Sequence, residues 1–433
     1  MGEKITGLTV AQGTAMYVGA VLGTGVIAVP ALAAQVAGPA SLIAWLCLVM
    51  VSAPLAATFA ALGARHPDAG GVSTYARLAF GERAATVVGW CFFFAVPPGT
   101  TASALFAGSY VADAVGGGRV AQVGTAVVLM TLVASTNWAG LRASGRMQLA
   151  LAGMLVLLVL GAVALSAPMM NPANLEPFAP NGWTAIGPAA ALLVWSFAGW
   201  EAITHLAQEF GKPQRDLPRA VGFAVLIVAG LYLSVAFATV AVLGADADSE
   251  APLGELLARA LGGDLKVFAA VVAVLLTVGS MNAYYAGSAK LGAALSRDGA
   301  FPRRLSGGSV AGEVPRRSLA LLVGLSFVIL VVVVVTGAGI KLLVLLTTGQ
   351  FVAVYVIGAA AAVRLLPRRS KARYTAVLAL AGVLLLLVVS GVYMLLPALV
   401  AVLALLFLRW NRRRRGSLDP DGNLSAVELR RRT

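Results

Sequence analysis

The stretch AVLGTGVIAVPAL, residues 20–32, lies inside an apolar run long enough to cross a bilayer, yet Gly23, Gly25 and Pro30 interrupt it. Glycine in a helix interior costs roughly 1 kcal/mol and proline about 3. Backbone that leaves the helix at mid-membrane exposes N–H and C=O groups, which is tolerable only where they line a cavity or hold a ligand. The stretch therefore reads as a built break, and its meaning depends on what surrounds it.

The surroundings are those of a membrane protein. Of 433 residues 59% are hydrophobic and 12% charged, against about 25% charged in a soluble domain. The charges cluster between apolar runs of about twenty residues, the length that spans a hydrocarbon core. Twelve spans are predicted, at about 10–37, 41–63, 84–114, 119–139, 146–167, 184–207, 217–244, 264–295, 317–336, 339–363, 375–395 and 396–410. The last two are divided only at Pro397. The apolar stretch before PALAAQ mimics a signal peptide, but glycines split it and its charged flank is weak. Cys47 and Cys91 both fall inside spans and offer neither a disulfide framework nor metal-ligand spacing.

Lysine and arginine fix the expected orientation. With both ends in the cytoplasm, only Arg119, Arg259, Lys266 and Lys341 of the 32 basic residues fall in outer loops, while Lys290 lies within a span. That asymmetry follows the positive-inside rule, and the acidic loop GADADSEAPLGE, residues 244–255, then faces outward. The net charge of +14 is thus a topology signal, and no nucleic-acid partner is expected. Residues 411–433 read as a basic cytoplasmic tail without fixed structure that touches anionic lipid.

A second interruption occurs in the sixth span, VWSFAGWEAITHL, residues 194–206, where Gly199 stands in the middle. An odd offset of five spans sets the two segments antiparallel. Paired glycine-broken segments at corresponding positions of two halves point to an inverted-repeat transporter. Glycines that merely allow close helix packing are the alternative, and that reading suits most of the 48 in the chain. Beyond the break at Gly23, the N–H groups of Thr24, Gly25 and Val26 would head a half-helix whose positive dipole end suits a carboxylate. In the sixth span the carbonyls of Trp195, Ser196 and Phe197 would be free to accept from an ammonium. A carboxylate site beside an ammonium site describes an α-amino acid.

At these residues the chain resembles the amino acid–polyamine–organocation (APC) superfamily. GTGVIAVP, residues 23–30, is similar to its first-helix glycine signature, and residues 195–220, WSFAGWEAITHLAQEFGKPQRDLPRA, to its sixth-helix block. RHPDAGGVSTYARLAFG, residues 65–81, resembles the first inner loop, and AKLGAALSRDGAFP, residues 289–302, the end of the eighth helix. Within the superfamily the likeness is nearest to bacterial exporters of methionine and branched-chain amino acids. The resemblance implies an all-α, LeuT-like fold of about twelve transmembrane helices in a bacterial cell membrane. It comprises two inverted five-helix repeats, about 10–167 and 184–363, and two added helices at about 375–410. It further implies that Trp195 packs over bound substrate and that Glu201 senses protons. Some proton-coupled members place a lysine in the fifth helix, whereas RMQLALAGMLVLLVLGAVAL, residues 146–165, has none.

Single residues sharpen the expectation. A carboxylate at mid-membrane costs about 2.5–3.5 kcal/mol or more, which marks Glu201 as functional, although a neutral glutamic acid capping broken carbonyls is the other reading. His205 and Glu209 follow at four-residue steps, which on an α-helix gives one face and a proton ladder. Glu209, at the membrane edge, reads as solvated, and Lys290 as a snorkelling structural residue. Trp195 and Phe197 sit beside the break, while Met281 and Asn282 in TVGSMNAYY either line the side-chain pocket or, for Asn282, join helices. Pro97 and Pro98 break or kink the third span, and Asp216 is a candidate N-cap. EAITH lacks the second histidine of a zinc motif, so neither metal, cofactor nor enzymatic chemistry is expected. A sodium-coupled importer would use hydroxyls such as Ser280 and Ser288. The expected function is secondary transport of a neutral amino acid, with the amino acid and membrane lipid as partners and the oligomeric state open.

Overall fold

The computed structural model describes residues 7–23, 25–193, 196, 199–244, 256, 266–390 and 394–416. The expected first span is two helices, α1 (Val10–Leu22) and α2 (Gly25–Ala37). Thr9 caps α1 through a reciprocal capping box with Gln12. There follow α3 (Ser41–Arg65), α4 (Val72–Phe80), α5 (Glu82–Val115), α6 (Gly118–Ala139) and α7 (Leu141–Ser166). The sixth span contributes α8 (Ile186–Leu193) and then a 3-10 helix, Ala202–Glu209. Beyond it run α9 (Pro213–Leu243), α10 (Lys266–Arg297), α11 (Arg316–Thr336), α12 (Ile340–Leu365), α13 (Lys371–Ser390) and α14 (Leu395–Gly416).

Nine helical stretches among the described residues are long and apolar enough to cross a membrane, and α1 is a shorter apolar helix. Large apolar side chains point outward along them, among them Leu157, Leu226 and Val335 at 74%, 70% and 79% exposure. An outer surface of that kind needs lipid to cover it. Inside, α5 packs against α6, α10 and α12, while α1 lies against α7, α9 and α10, and α2 against α8. The two interrupted spans therefore meet at the centre of the bundle.

Several expectations are corrected. The amphipathic helix α4, inside the first inner loop, was not foreseen, because its nine residues are too few to register as a span. Asp216 does not cap α9: the helix starts three residues earlier at Pro213, and the Asp216 carboxylate reaches back to the Lys212 N–H at 3.1 Å. Residues 411–416, assigned to the tail, continue α14, and the remainder of the tail lies outside the described residues. Pro397 sits in the first turn of α14, a position that lacks an intrahelical N–H bond in any residue.

Candidate functional site

Two breaks and one crossing define the centre. α1 ends at Leu22 and α2 starts at Gly25, leaving Gly23 outside both. Gly199 has φ +133°, and a Cβ there would lie 2.8 Å from the Ala20 carbonyl carbon and oxygen and 2.9 Å from the Val21 nitrogen. Only glycine lets the second break pass this close to the first. A phenol on α9 holds the two together. The Tyr232 hydroxyl lies 3.0 Å from the Val21 carbonyl oxygen and 2.6 Å from that of Ser196, a donor shared between both broken segments.

Beside this crossing lies a cavity of about 50 Å³, several times the roughly 10–15 Å³ that one water needs. Val21 lines it from α1, Gly23 from the first break, Ser196 from the second break, Gly99 and Thr100 from α5, and Ser280, Met281 and Tyr284 from α10. Thr347 and Phe351 close it from α12. Every described lining residue is uncharged. Gly99 is small because Thr347 is near: an added Cβ would stand 2.9 Å from its methyl. The two prolines expected to break or kink the third span lie inside one continuous α5, where the Thr100 and Thr101 hydroxyls donate to the Pro97 carbonyl at 3.2 and 2.8 Å.

Glu201 is wholly buried next to the cavity. Its Oε1 accepts from the Tyr284 hydroxyl at 3.0 Å; its Oε2 accepts from the Gly199 N–H at 3.1 Å and from the Tyr355 hydroxyl. Three donors from α10, α12 and the second break thus satisfy the carboxyl without a counter-charge. Tyr284 also lines the cavity, so one side chain touches both the ligand space and the carboxyl.

The proton ladder expected along this segment is not built. Residues Ala202–Glu209 form a 3-10 helix, in which positions four apart point about 120° away from each other. The Thr204 hydroxyl takes the Glu201 carbonyl at 2.6 Å, a local competition for helix bonds. Accordingly His205 turns elsewhere: its ring packs edge-on to Phe92 with centroids 4.4 Å apart, and it faces the turn at Gly71. Neither ring nitrogen has a hydrogen-bond partner among the described residues. Glu209 is not solvated but buried, in an ion pair with Lys290 at 2.6 Å. Lys290 does not snorkel either: its side chain is 1% exposed.

Of the residues expected to bind, Gly23, Ser196 and Met281 line the cavity and Gly199 makes the crossing. Gly25 and Val26 begin α2. Thr24, Trp195 and Phe197 lie outside the described residues. Asn282 faces away into a satisfied network. Its Oδ1 accepts from Asn137 at 2.9 Å and Ser144 at 2.8 Å, and its Nδ2 donates to Gln148 Oε1 at 2.8 Å. Gln148 in turn donates to the Ala15 carbonyl at 3.2 Å, so Asn282 joins helices. Of the two candidate sodium-binding hydroxyls, Ser280 lines the cavity and Ser288 is buried without a hydrogen-bond partner among the described residues. No group of three potential metal ligands occurs among the described residues. Tyr232, Tyr284, Tyr355, Thr100 and Thr347 were missed, though a tyrosine inside an apolar span signals a buried hydroxyl that must find a partner.

A lipid-covered helical bundle with a small uncharged cavity at two crossed helix breaks defines a membrane carrier for small molecules. The amino acid permease family model matches residues 8–420, and the chain belongs to that family. It is 30% identical over 416 residues to the uncharacterized amino acid permease YecA of Bacillus subtilis (strain 168), covering 95% of this chain and 97% of the relative. It is 33% identical over 399 residues to the L-methionine/branched-chain amino acid exporter YjeH of Escherichia coli (strain K12), covering 89% and 91%. The branched-chain amino acid permease BcaP of Bacillus subtilis (strain 168) is 26% identical over 313 residues, 68% and 67% of the two chains. The protein is accordingly a multi-pass membrane protein of amino acid transport.

Proposed function

We propose that the chain is a secondary transporter that exports neutral amino acids, methionine and the branched-chain residues first, by alternating access and in exchange for protons. The observation that carries this reading is the uncharged cavity at the crossing of the two breaks. At its edge, the start of α2 would receive the substrate carboxylate, and the backbone of the second break the ammonium. The Ser196 carbonyl already accepts from Tyr232, leaving it a second lone pair. Met281, Val21, Val96 and Phe351 offer thioether, aliphatic and aromatic surface to an apolar side chain. Trp195 and Phe197 would cover the bound ligand from the same segment.

Glu201 is the proposed proton carrier, because Tyr284 joins it to the cavity. His205 would take the proton onward only in a conformation that frees its ring from Phe92. In this reading the helices form twelve spans: inverted repeats at about 10–167 and 184–363, then helices at about 375–410. Both ends are cytoplasmic, as the basic residues support, with the basic tail after Gly416 against anionic lipid of the bacterial plasma membrane. The similarity to a methionine and branched-chain exporter supports the substrate and the direction.

Counterflow in reconstituted vesicles tests it. Methionine, leucine, isoleucine and valine should compete for one site. Arginine, lysine and glutamate should bind about 100-fold more weakly, since no charged side chain is among the described residues lining the cavity. Strong inhibition by arginine would refute the assignment.

A further inference from the structure

At the end of the 3-10 helix remote from Glu201, the buried pair Glu209–Lys290 does more than neutralise itself. Their side chains are 6% and 1% exposed and 2.6 Å apart. The Lys290 ammonium also donates to the Val310 carbonyl at 2.8 Å, and the second Glu209 oxygen accepts from the Gly312 N–H at 2.8 Å. One residue earlier, Gln208 Nε2 donates to the Ser309 carbonyl at 2.9 Å. On the other flank the Leu8 N–H donates to the Glu209 carbonyl at 2.7 Å, and Leu8 bridges to Phe210. The ion pair and its two hydrogen bonds therefore tie the end of the 3-10 helix and α10 to the loop between α10 and α11, while the Glu209 backbone holds the segment before α1.

Such a pair is a poor source of stability, because desolvation takes back what the charges gain from each other. For a carrier the same balance has a use. When this face parts, both ions hydrate, so the open and closed arrangements differ little in free energy although the closed one is tightly tied. We infer that Glu209–Lys290 is a latch that holds this face of the bundle shut over the loop at Ser309–Gly312 and releases it as a unit. The inference rests on the alternating-access reading above.

Ser309 supplies the reporter. It is buried in the loop that the pair holds, and cysteine is its near isostere. With Cys47→Ser and Cys91→Ala removing the native thiols, the labelling rate of Ser309→Cys by a water-soluble maleimide in detergent measures how often this loop lifts. The readout needs no amino acid, so failure of the substrate assignment would not disturb it.

Glu209→Gln leaves a buried ammonium unpaired and should raise the rate more than about tenfold. Lys290→Met with Glu209→Met removes both charges and should label no faster than the parent. Parent-like labelling of Glu209→Gln, or labelling of the double variant as fast as the single one, would overturn the latch. If Glu209→Gln does not yield folded protein, Glu209→Asp, which keeps the charge but draws it back from Lys290 and the Gly312 N–H, decides: faster labelling supports the latch and an unchanged rate overturns it.

Discussion

The two helix breaks differ in how they are made. In the first, the chain leaves one helix at Leu22 and enters the next at Gly25, and Gly23 has room, its nearest neighbour for an added Cβ being Ser280 Oγ at 3.8 Å. In the second, helix α8 stops at Leu193 and Gly199, ahead of the 3-10 helix that starts at Ala202, is pressed on the backbone of the first break. The first break is therefore open toward the cavity, and the second is crowded and tied to side chains of α9, α10 and α12. In the proposed function the former receives the ligand and the latter carries the conformational and protonation response. Sequence alone makes the two glycines look alike, and only their neighbours separate their roles.

Four substitutions would break or sharpen this contrast. Gly199→Ala should be the most damaging, since it forces a positive φ and a contact below 3 Å against backbone. A loss of about 3 kcal/mol or more is expected, seen as loss of folded protein on size-exclusion chromatography. Tyr232→Phe removes the hydroxyl shared by the Val21 and Ser196 carbonyls. Leaving buried acceptors unpaired costs about 1–3 kcal/mol, to be read as a lower thermal midpoint together with slower counterflow. Gly23→Ala should leave the protein folded but place a methyl at the cavity wall, raising KM about tenfold with little change in maximal rate.

The smallest effect concerns Asp68, in the turn against which His205 packs. Burial pushes its carboxyl up, but hydrogen bonds from Thr74 and the Gly70 N–H, and the Arg297 guanidinium, outweigh that and hold it below its ordinary 3.8. A lowered folded value stabilises the protein at pH above 3.8 and loses that contribution as pH falls through the folded value. Asp68→Asn should therefore lower the thermal midpoint at pH 7 and flatten its fall below pH 4, as differential scanning fluorimetry would show.

How far the sequence reached follows from the length over which each feature is encoded. The long helices were legible because an apolar run of about twenty residues is a strong signal, and most of the predicted edges fall within a few residues of theirs. Both breaks were legible because glycines interrupted such runs. The short α4 was not, nor was the 3-10 character of Ala202–Glu209. An α-helical spacing read onto EAITHLAQE put Glu201, His205 and Glu209 on one face, whereas the structure gives them separate surroundings. Partners distant in sequence were also beyond reach: Tyr284 and Tyr355 meet Glu201 across 83 and 154 residues. Nor does local pattern reveal that Asn282 turns from the cavity toward Gln148.

The central claim is that the crowded second break, through Glu201, links an uncharged ligand site to protons. Glu201→Gln keeps the size of the side chain and its capacity to bond Tyr284 and Tyr355 while removing the titrating group. Methionine counterflow and methionine movement driven by a pH gradient, measured in the same vesicles, test the link directly. The account predicts that the variant still exchanges methionine but no longer responds to the gradient. Unchanged pH dependence in Glu201→Gln would contradict it and leave the carboxyl a structural partner of the two tyrosines.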